Sequence, residues 1–342
     1  MRFVSIDRVK RGSYLAKPIY SNLGTILVKE HVKLSEGILN RLKELGFVGL
    51  YIEDKISEGI EIKDVIDEQL RIEAIITLEN IIKDNGNFTE MQPIIENIVD
   101  SIIEKKDVLL HMHQLQNHHD YTYSHCINVG ILSISMGVKM KYTRGELINL
   151  GTSGILHDIG KNSIPKEILD KPGKLTKEEY DCIKKHPEHG YNMIREILEI
   201  DGNTKAGVLQ HHERCDGTGY PFGLKRDEIS SFGKIIAVAD TYDAMTTDRV
   251  YRPAFSPFEV YEYLMGDGNT KYEIDIIKKF GKCITIYPEG GLVELSDGTN
   301  AIVMKTNANN TLRPIVRNID TNEIIDLMND SAYRHLCIKK VV

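Results

Sequence analysis

The chain has 342 residues, more than one typical globular core holds, so two or three domains are expected. With 41% apolar and 27% charged residues it falls among globular proteins rather than disordered or fibrous ones. A formal net charge of -7 argues against a general binder of DNA or RNA polymers, whose affinity comes mostly from Lys and Arg on phosphates.

Five cysteines, Cys126, Cys182, Cys215, Cys283 and Cys337, show no C-x-x-C spacing, so neither a zinc ribbon nor a disulfide framework is expected. No apolar run approaches the length a bilayer requires, which reads as a cytoplasmic protein without a membrane partner.

Residues 1–60 read as a small α/β domain. Apolar runs at Phe3 to Ile6, Leu15 to Ile19 and Thr25 to Val28 are separated by the turn signals Gly12-Ser13 and Asn22-Leu23-Gly24. Ser35 can cap a helix carrying Ile38, Leu39, Leu42 and Leu45 and ended by Gly46, and a strand follows at Val48 to Ile52. Residues 61–107 read as a helical linker packing on the next domain: one helix from Val65 to Ile82 closed by Asp84-Asn85-Gly86-Asn87, and a second begun by Thr89 and Glu90. Its broad apolar stripe also suits a homodimer contact.

Nearly all histidines fall in residues 108–284. His111, His113, His118 and His119 lie in a polar stretch and read as a solvated helix end. His125 opens an amphipathic helix with Ile127, Val129, Ile131, Leu132 and Ile134. Then Gly154-Ile155-Leu156 delivers His157-Asp158-Ile159-Gly160-Lys161; on a continuous helix His157 and Lys161 share a face at i and i+4. After the Lys171-Pro172-Gly173 loop, Thr176 and Glu179 form a capping box on a helix ending at His186-Pro187. His189 reads as solvent-facing. Another amphipathic helix is expected at Ile194 to Ile200, and one from about Asn203 delivers His211-His212. The glycine-rich loop Glu213 to Pro221 cannot be helical, and Ile235 to Ala239 leads to Asp240. Residues 285–342 carry β-type runs at 292–295, 301–305 and 314–317, a small C-terminal β domain.

His125, His157, Asp158, His186, His211, His212 and Asp240 each stand at or near the end of an expected helix, where side chains converge on one cavity. This set exceeds what one divalent ion needs. With Asp158 bridging, His125, His157 and Asp240 suit one ion, and His186, His211 and His212 suit a second. Nitrogen and oxygen donors without thiolate favour iron or manganese over a structural zinc. Two such ions about 3.5 to 4 Å apart acidify a shared water and favour phosphodiester hydrolysis.

The strings HDIGK, KPGKL, HPEHG, HHERCDGTGYP and ADTYDAMTTDRVYR resemble the HD-GYP family of cyclic-dinucleotide phosphodiesterases, a branch of the HD metallohydrolase superfamily, over roughly Asp120 to Phe280. The resemblance implies a mainly α fold: a helical HD-domain core between the small N-terminal and C-terminal domains. It also implies a bacterial second-messenger activity, opening cyclic di-GMP to pGpG and in some members onward to GMP, by in-line attack of a hydroxide shared by the two ions. The seven residues above are then the metal ligands. Asp158, Lys161 and Asp243 carry the chemistry, Lys161 as the cation beside the scissile phosphate and Asp243 as the group orienting a ligand or Lys161. Gly219, Tyr220 and Pro221 line the substrate entrance, with Tyr220 offering a face to a guanine base, and Arg249 and Arg252 can fork onto one phosphate. Where some members place a third-metal glutamate four residues before the first histidine, this chain has Tyr121, with Asp120 as a substitute one residue earlier. Alternatives are a non-catalytic receptor for the dinucleotide, another HD-superfamily phosphohydrolase, or a di-iron oxygenase.

Overall fold

The structure, a computed structural model, describes residues 1–83, 87–106, 108–110, 121–247, 254–307 and 309–342. The chain forms two compact units, one holding Met1–Val65 and Ile284–Val342, the other Ile66–Lys106 and Thr122–Cys283.

In the first unit, β1 (Arg2–Ser5), β2 (Tyr14–Leu15) and β5 (Gly49–Glu53) form an antiparallel sheet ordered β1-β5-β2, while β3 (Ile19–Tyr20) and β4 (Ile26–Val28) pair separately. The apolar run Leu15 to Ile19 is therefore two strands and not one. Pro18, which has no N–H for a ladder, separates them. Between β4 and β5 lies α1 (Glu36–Glu44), capped by Ser35, whose Oγ accepts from the Ile38 N–H at 3.3 Å.

The C-terminal residues supply β6 (Leu292–Leu295), β7 (Asn300–Lys305), β8 (Ile315–Asn318), β9 (Ile324–Asp326) and β10 (Ile338–Val341), an antiparallel sheet ordered β10-β6-β7-β8-β9. The two strands that sequence patterning leaves out, β9 and β10, are its edges. They are short, and Ile324, Lys339 and Lys340 face solvent, so neither shows an alternating apolar signal. Tyr51, Ile60 and Ile62 share a buried cluster with Ile302, with Phe3 and Met304 packed against it. Arg317 donates to the carbonyls of Ile56 at 2.7 Å and Glu58 at 3.0 Å.

The second unit is helical: α2 (Glu68–Lys83), α3 (Gln92–Glu104), α4 (Tyr121–Lys139), α5 (Arg144–Leu156), α6 (Lys166–Leu169), α7 (Lys177–Ile183), α8 (His186–Ile194), α9 (Gly202–Gln210), α10 (Ser231–Thr246), α11 (Pro257–Gly266) and α12 (Ile274–Phe280). From Ser124 to Met136 α4 is buried on all sides, as is α10 from Ile235 to Asp240, which marks both as central helices. Around them α9 packs on α5, α8 and α10. Among the described residues no helix is long and apolar enough to cross a membrane.

Several helix limits differ from the expected ones for local reasons. Helix α2 starts beyond Val65 and Ile66, because the Asp67 side chain accepts from the Gln69 N–H at 2.7 Å and caps it there. Thr89 lies in a short 3-10 turn, Phe88–Met91, begun by Asn87, instead of opening α3. The capping box of Thr176 and Glu179 forms at the start of α7, but that helix ends at Ile183; His186 opens α8, with Pro187 tolerated in its first turn. Residues 195–200 are not helical. The carbonyls of Arg195 and Ile197 each accept from Lys205 Nζ at 2.9 Å, and Leu198 is 93% exposed.

Candidate metal centre

Helix α5 is buried over its last four residues and stops at Leu156; His157 follows as its C-terminal cap, and Ile159–Ser163 continues as a tight 3-10 turn. The i and i+4 pairing of His157 and Lys161 expected of a continuous helix is therefore replaced. With three residues per turn, Asp158 and Lys161 are stacked one above the other, and the Lys161 ammonium donates directly to Asp158 Oδ2. The turn packs against α8 through Gly160. A Cβ there would lie 1.9 Å from the His186 carbonyl oxygen and 2.4 Å from the Gly190 nitrogen, so only a hydrogen side chain allows the approach that brings His186 beside Asp158.

The two oxygens of Asp158 face different groups. Oδ2 lies 3.7 Å from His125 Nε2 and 3.4 Å from His157 Nε2, while Oδ1 lies 3.3 Å from His186 Nε2 and 3.9 Å from His211 Nε2. Asp240, one turn before Asp243 on α10, places Oδ1 3.1 Å from His125 Nε2 and 4.0 Å from His157 Nε2, and its Oδ2 4.0 Å from His212 Nδ1. Two donor groups result, His125, His157 and Asp158 on one side and Asp158, His186, His211 and His212 on the other, each within 4.8 Å. Apart from half-buried His212, these side chains are buried.

Three of the rings are held the same way. The Nδ1 of His157, His186 and His211 each contacts the carbonyl oxygen three residues earlier, of Gly154, Ile183 and Val208, at 2.7, 2.8 and 2.8 Å. A carbonyl only accepts, so Nδ1 carries the proton and Nε2 points its lone pair inward. His186 and His211 consequently turn two acceptor nitrogens toward each other at 3.2 Å, and His157 Nε2 and Asp158 Oδ1 are buried with no hydrogen-bond partner. Buried polar atoms are normally satisfied, and this convergence of lone pairs and carboxylate oxygens is the arrangement that a cation satisfies.

The protonation equilibria of His186, His211 and His212 point the same way. Burial holds His211 and His212 well below their usual range and pushes His186 down to about 4, so these three are neutral donors. Burial raises the carboxyl of Asp158, but the Lys161 ammonium and the surrounding imidazoles outweigh it and keep the group ionised, well below the usual range. For Asp240 burial is likewise outweighed, first by the hydrogen bond from His125 and then by the charge of that ring. Burial lowers His125, yet its contacts to Asp240 and Asp243 dominate and push it up to about 9. Burial and then Asp158 raise the Cys126 thiol well above its usual range, so no thiolate joins the set.

Outside the ligand groups, Asp243 accepts from His125 Nδ1 at 2.7 Å. The Gly219-Tyr220-Pro221 loop is folded back on its own start: Glu213, buried at 2% exposure, accepts from the Phe222 N–H at 2.8 Å and the Leu224 N–H at 2.9 Å. A Cβ on Gly219 would lie 2.4 Å from both Glu213 Cα and Arg214 N. Tyr220 stacks on His212, ring centroids 4.6 Å apart. Arg249, Arg252, Asp120, His111, His113, His118 and His119 lie outside the described residues, as does the Tyr121 side chain. His189 is half-buried and not solvent-facing, and its Nδ1 is enclosed without a partner.

Sequence reading passed over Glu213, Asn128 and Arg71. Asn128, one turn beyond His125 on α4, donates to Asp243 Oδ1 at 2.9 Å and accepts from Arg71 Nη1 at 2.8 Å. Its i+3 spacing from His125 was the available signal; Arg71, 54 residues away from His125 in the chain, gave none.

Comparison with known proteins agrees with this geometry. The family model of the HD domain matches residues 78–276. A cyclic di-GMP phosphodiesterase of Pseudomonas aeruginosa is 34% identical over 224 residues, 66% of this chain and 54% of that protein. The cyclic di-GMP phosphodiesterase PdeB of Borreliella burgdorferi is 30% identical over 218 residues, 64% of this chain and 57% of that protein. The chain thus spans little more than half the length of these relatives. A solved HDGYP protein from Bdellovibrio bacteriovorus shares the fold, with a TM-score of 0.55 at 19% identity, covering 81% of this chain and 97% of that one.

Proposed function

The chain belongs to the HD-domain family, and from that premise we propose that it is an HD-GYP-type phosphodiesterase that hydrolyses cyclic di-GMP to pGpG. The observation that carries the reading is the buried pair of donor groups sharing Asp158, with His157 Nε2 and Asp158 Oδ1 left without partners.

His125, His157, Asp158 and Asp240 would hold one divalent ion, and Asp158, His186, His211 and His212 a second, iron or manganese on the nitrogen and oxygen donor set. When bound, the ions supply Lewis acidity toward a phosphodiester and lower the pKa of water. The chain's own residues do the rest. The carbonyls behind His157, His186 and His211 fix their tautomers, and Asp243 does the same for His125. Lys161, whose side chain is 31% exposed, reaches the edge of the site and can meet a phosphoryl oxygen or give a proton to the departing 3′ oxygen. Gly219, Tyr220 and Pro221, held by Glu213, border the substrate, with Tyr220 as a surface for a base. Arg249 and Arg252 remain candidates for a phosphate. Tyr121 in place of a carboxylate supports a two-ion site and pGpG, not GMP, as the end product.

The test is anaerobic incubation of iron- or manganese-loaded protein with cyclic di-GMP, with nucleotides followed by chromatography. Appearance of pGpG is expected; tight binding without turnover would turn the reading to a receptor. Asp158→Ala should lose both bound metal and turnover, since one carboxylate serves both donor groups, and an active, metal-replete Asp158→Ala protein would refute the assignment.

A further inference from the structure

Arg71 reaches the centre from outside the stretch that matches the HD-domain family, which begins at residue 78. It stands in the first turn of α2, within the same compact unit as the donor groups, and its side chain is 16% exposed. Nη1 donates to Asn128 Oδ1 at 2.8 Å, Asn128 Nδ2 donates to Asp243 Oδ1 at 2.9 Å, and Asp243 Oδ2 accepts from His125 Nδ1 at 2.7 Å. Asn128, Asp243 and His125 are all buried at 3% exposure or less, so water does not compete for these bonds. Nε of Arg71 is buried with no hydrogen bond and stays 3.8 Å from the Glu68 carboxylate, so among the described residues Asn128 is the group to which the guanidinium is hydrogen-bonded.

The direction of the chain is set at its Arg71 end. A guanidinium has five donors and no acceptor, so it can meet Asn128 only through the amide oxygen. The amide is thereby barred from turning over, and its NH2 is aimed at Asp243. The other Asp243 oxygen then accepts from the Nδ1–H of His125, which leaves Nε2 as the ring atom facing Asp158 and Asp240. We propose that Arg71 is a positioning residue of the metal centre, holding through Asn128 the Asp243 carboxylate that fixes the ring orientation of His125. The inference rests on the reading that the donor groups bind metal; it adds a residue that acts on one group first, because the rings of His186 and His211 are held by backbone carbonyls and meet His125 only across the shared Asp158.

The test is Mn2+ titration of metal-free protein by calorimetry and by the electron paramagnetic resonance of the bound ion. Wild type should show two binding steps. Arg71→Met should weaken one step by about tenfold, the lower end of what outer hydrogen-bond partners contribute, and leave the other unchanged. Arg71→Lys should restore it, since an ammonium also only donates. Asn128→Leu should weaken the same step, and adding Arg71→Met to it should cost nothing more. Unchanged binding in Arg71→Met, equal weakening of both steps, no recovery in Arg71→Lys, or an additive double variant would each overturn the proposal. If wild type binds neither Mn2+ nor Fe2+, the metal reading itself fails, which a phosphodiesterase assay would not separate.

Discussion

At the residue scale, Lys161 and Asp158 make opposite demands on the same contact. The ammonium sits on Asp158 Oδ2, the oxygen that also faces His125 and His157, so its charge helps keep a wholly buried carboxylate ionised. Lys161 is nonetheless no metal donor, since an ammonium has no lone pair. Lys161→Ala should therefore retain bound metal while losing turnover by roughly 100-fold to 1,000-fold, the range for one removed charge-stabilising donor. Metal analysis beside the product assay checks this, and parallel loss of metal would make Lys161 a structural counter-ion instead. The donors themselves were legible in the sequence because histidines and aspartates recur at the ends of apolar segments. Their supports were not. Glu213 satisfies backbone N–H groups of a loop, and Arg71 is hydrogen-bonded to an amide, neither of which leaves a spacing to read.

At the scale of elements, the 3-10 turn Ile159–Ser163 decides how α5 and α8 deliver their side chains. Helical periodicity predicts 3.6 residues per turn through His157 to Lys161, and the chain tightens there because Gly160 lets the His186 and Gly190 backbone come within reach. Gly160→Ala forces that packing apart against backbone atoms that cannot rotate away. A destabilisation of about 1 to 3 kcal/mol is expected, as for other overpacked interiors, together with weaker metal retention, because His186 would shift relative to Asp158. Thermal unfolding and metal content of the variant measure the two effects, and wild-type values for both would show that the turn tolerates a side chain. The helix expected at Ile194 to Ile200, which the chain does not form beyond Ile194, belongs to the same scale. Apolar spacing alone cannot register that Lys205 removes two carbonyls from a helical ladder.

At the scale of the whole molecule, every donor lies in the unit formed by Ile66–Lys106 and Thr122–Cys283, while the beginning and end of the chain fold together in the other. Local patterning reads the α/β segment and the β segment separately and says nothing of their joining, which depends on a few contacts more than 200 residues apart in sequence: Ile302 against Tyr51, Ile60 and Ile62, and Arg317 on the carbonyls of Ile56 and Glu58. Ile302, on β7, is 1% exposed, so Ile302→Ala should cost about 2 to 5 kcal/mol and open a cavity against the N-terminal segment. Amide hydrogen exchange should then accelerate in β5, whose Tyr51 has lost its partner, and not only in the sheet that carries the substitution. Metal content should stay at the wild-type level, since no donor belongs to this unit. Faster exchange confined to β6–β8 would mean that the two ends fold independently, and loss of metal would mean that the donor groups depend on the integrity of a unit to which they contribute no residue.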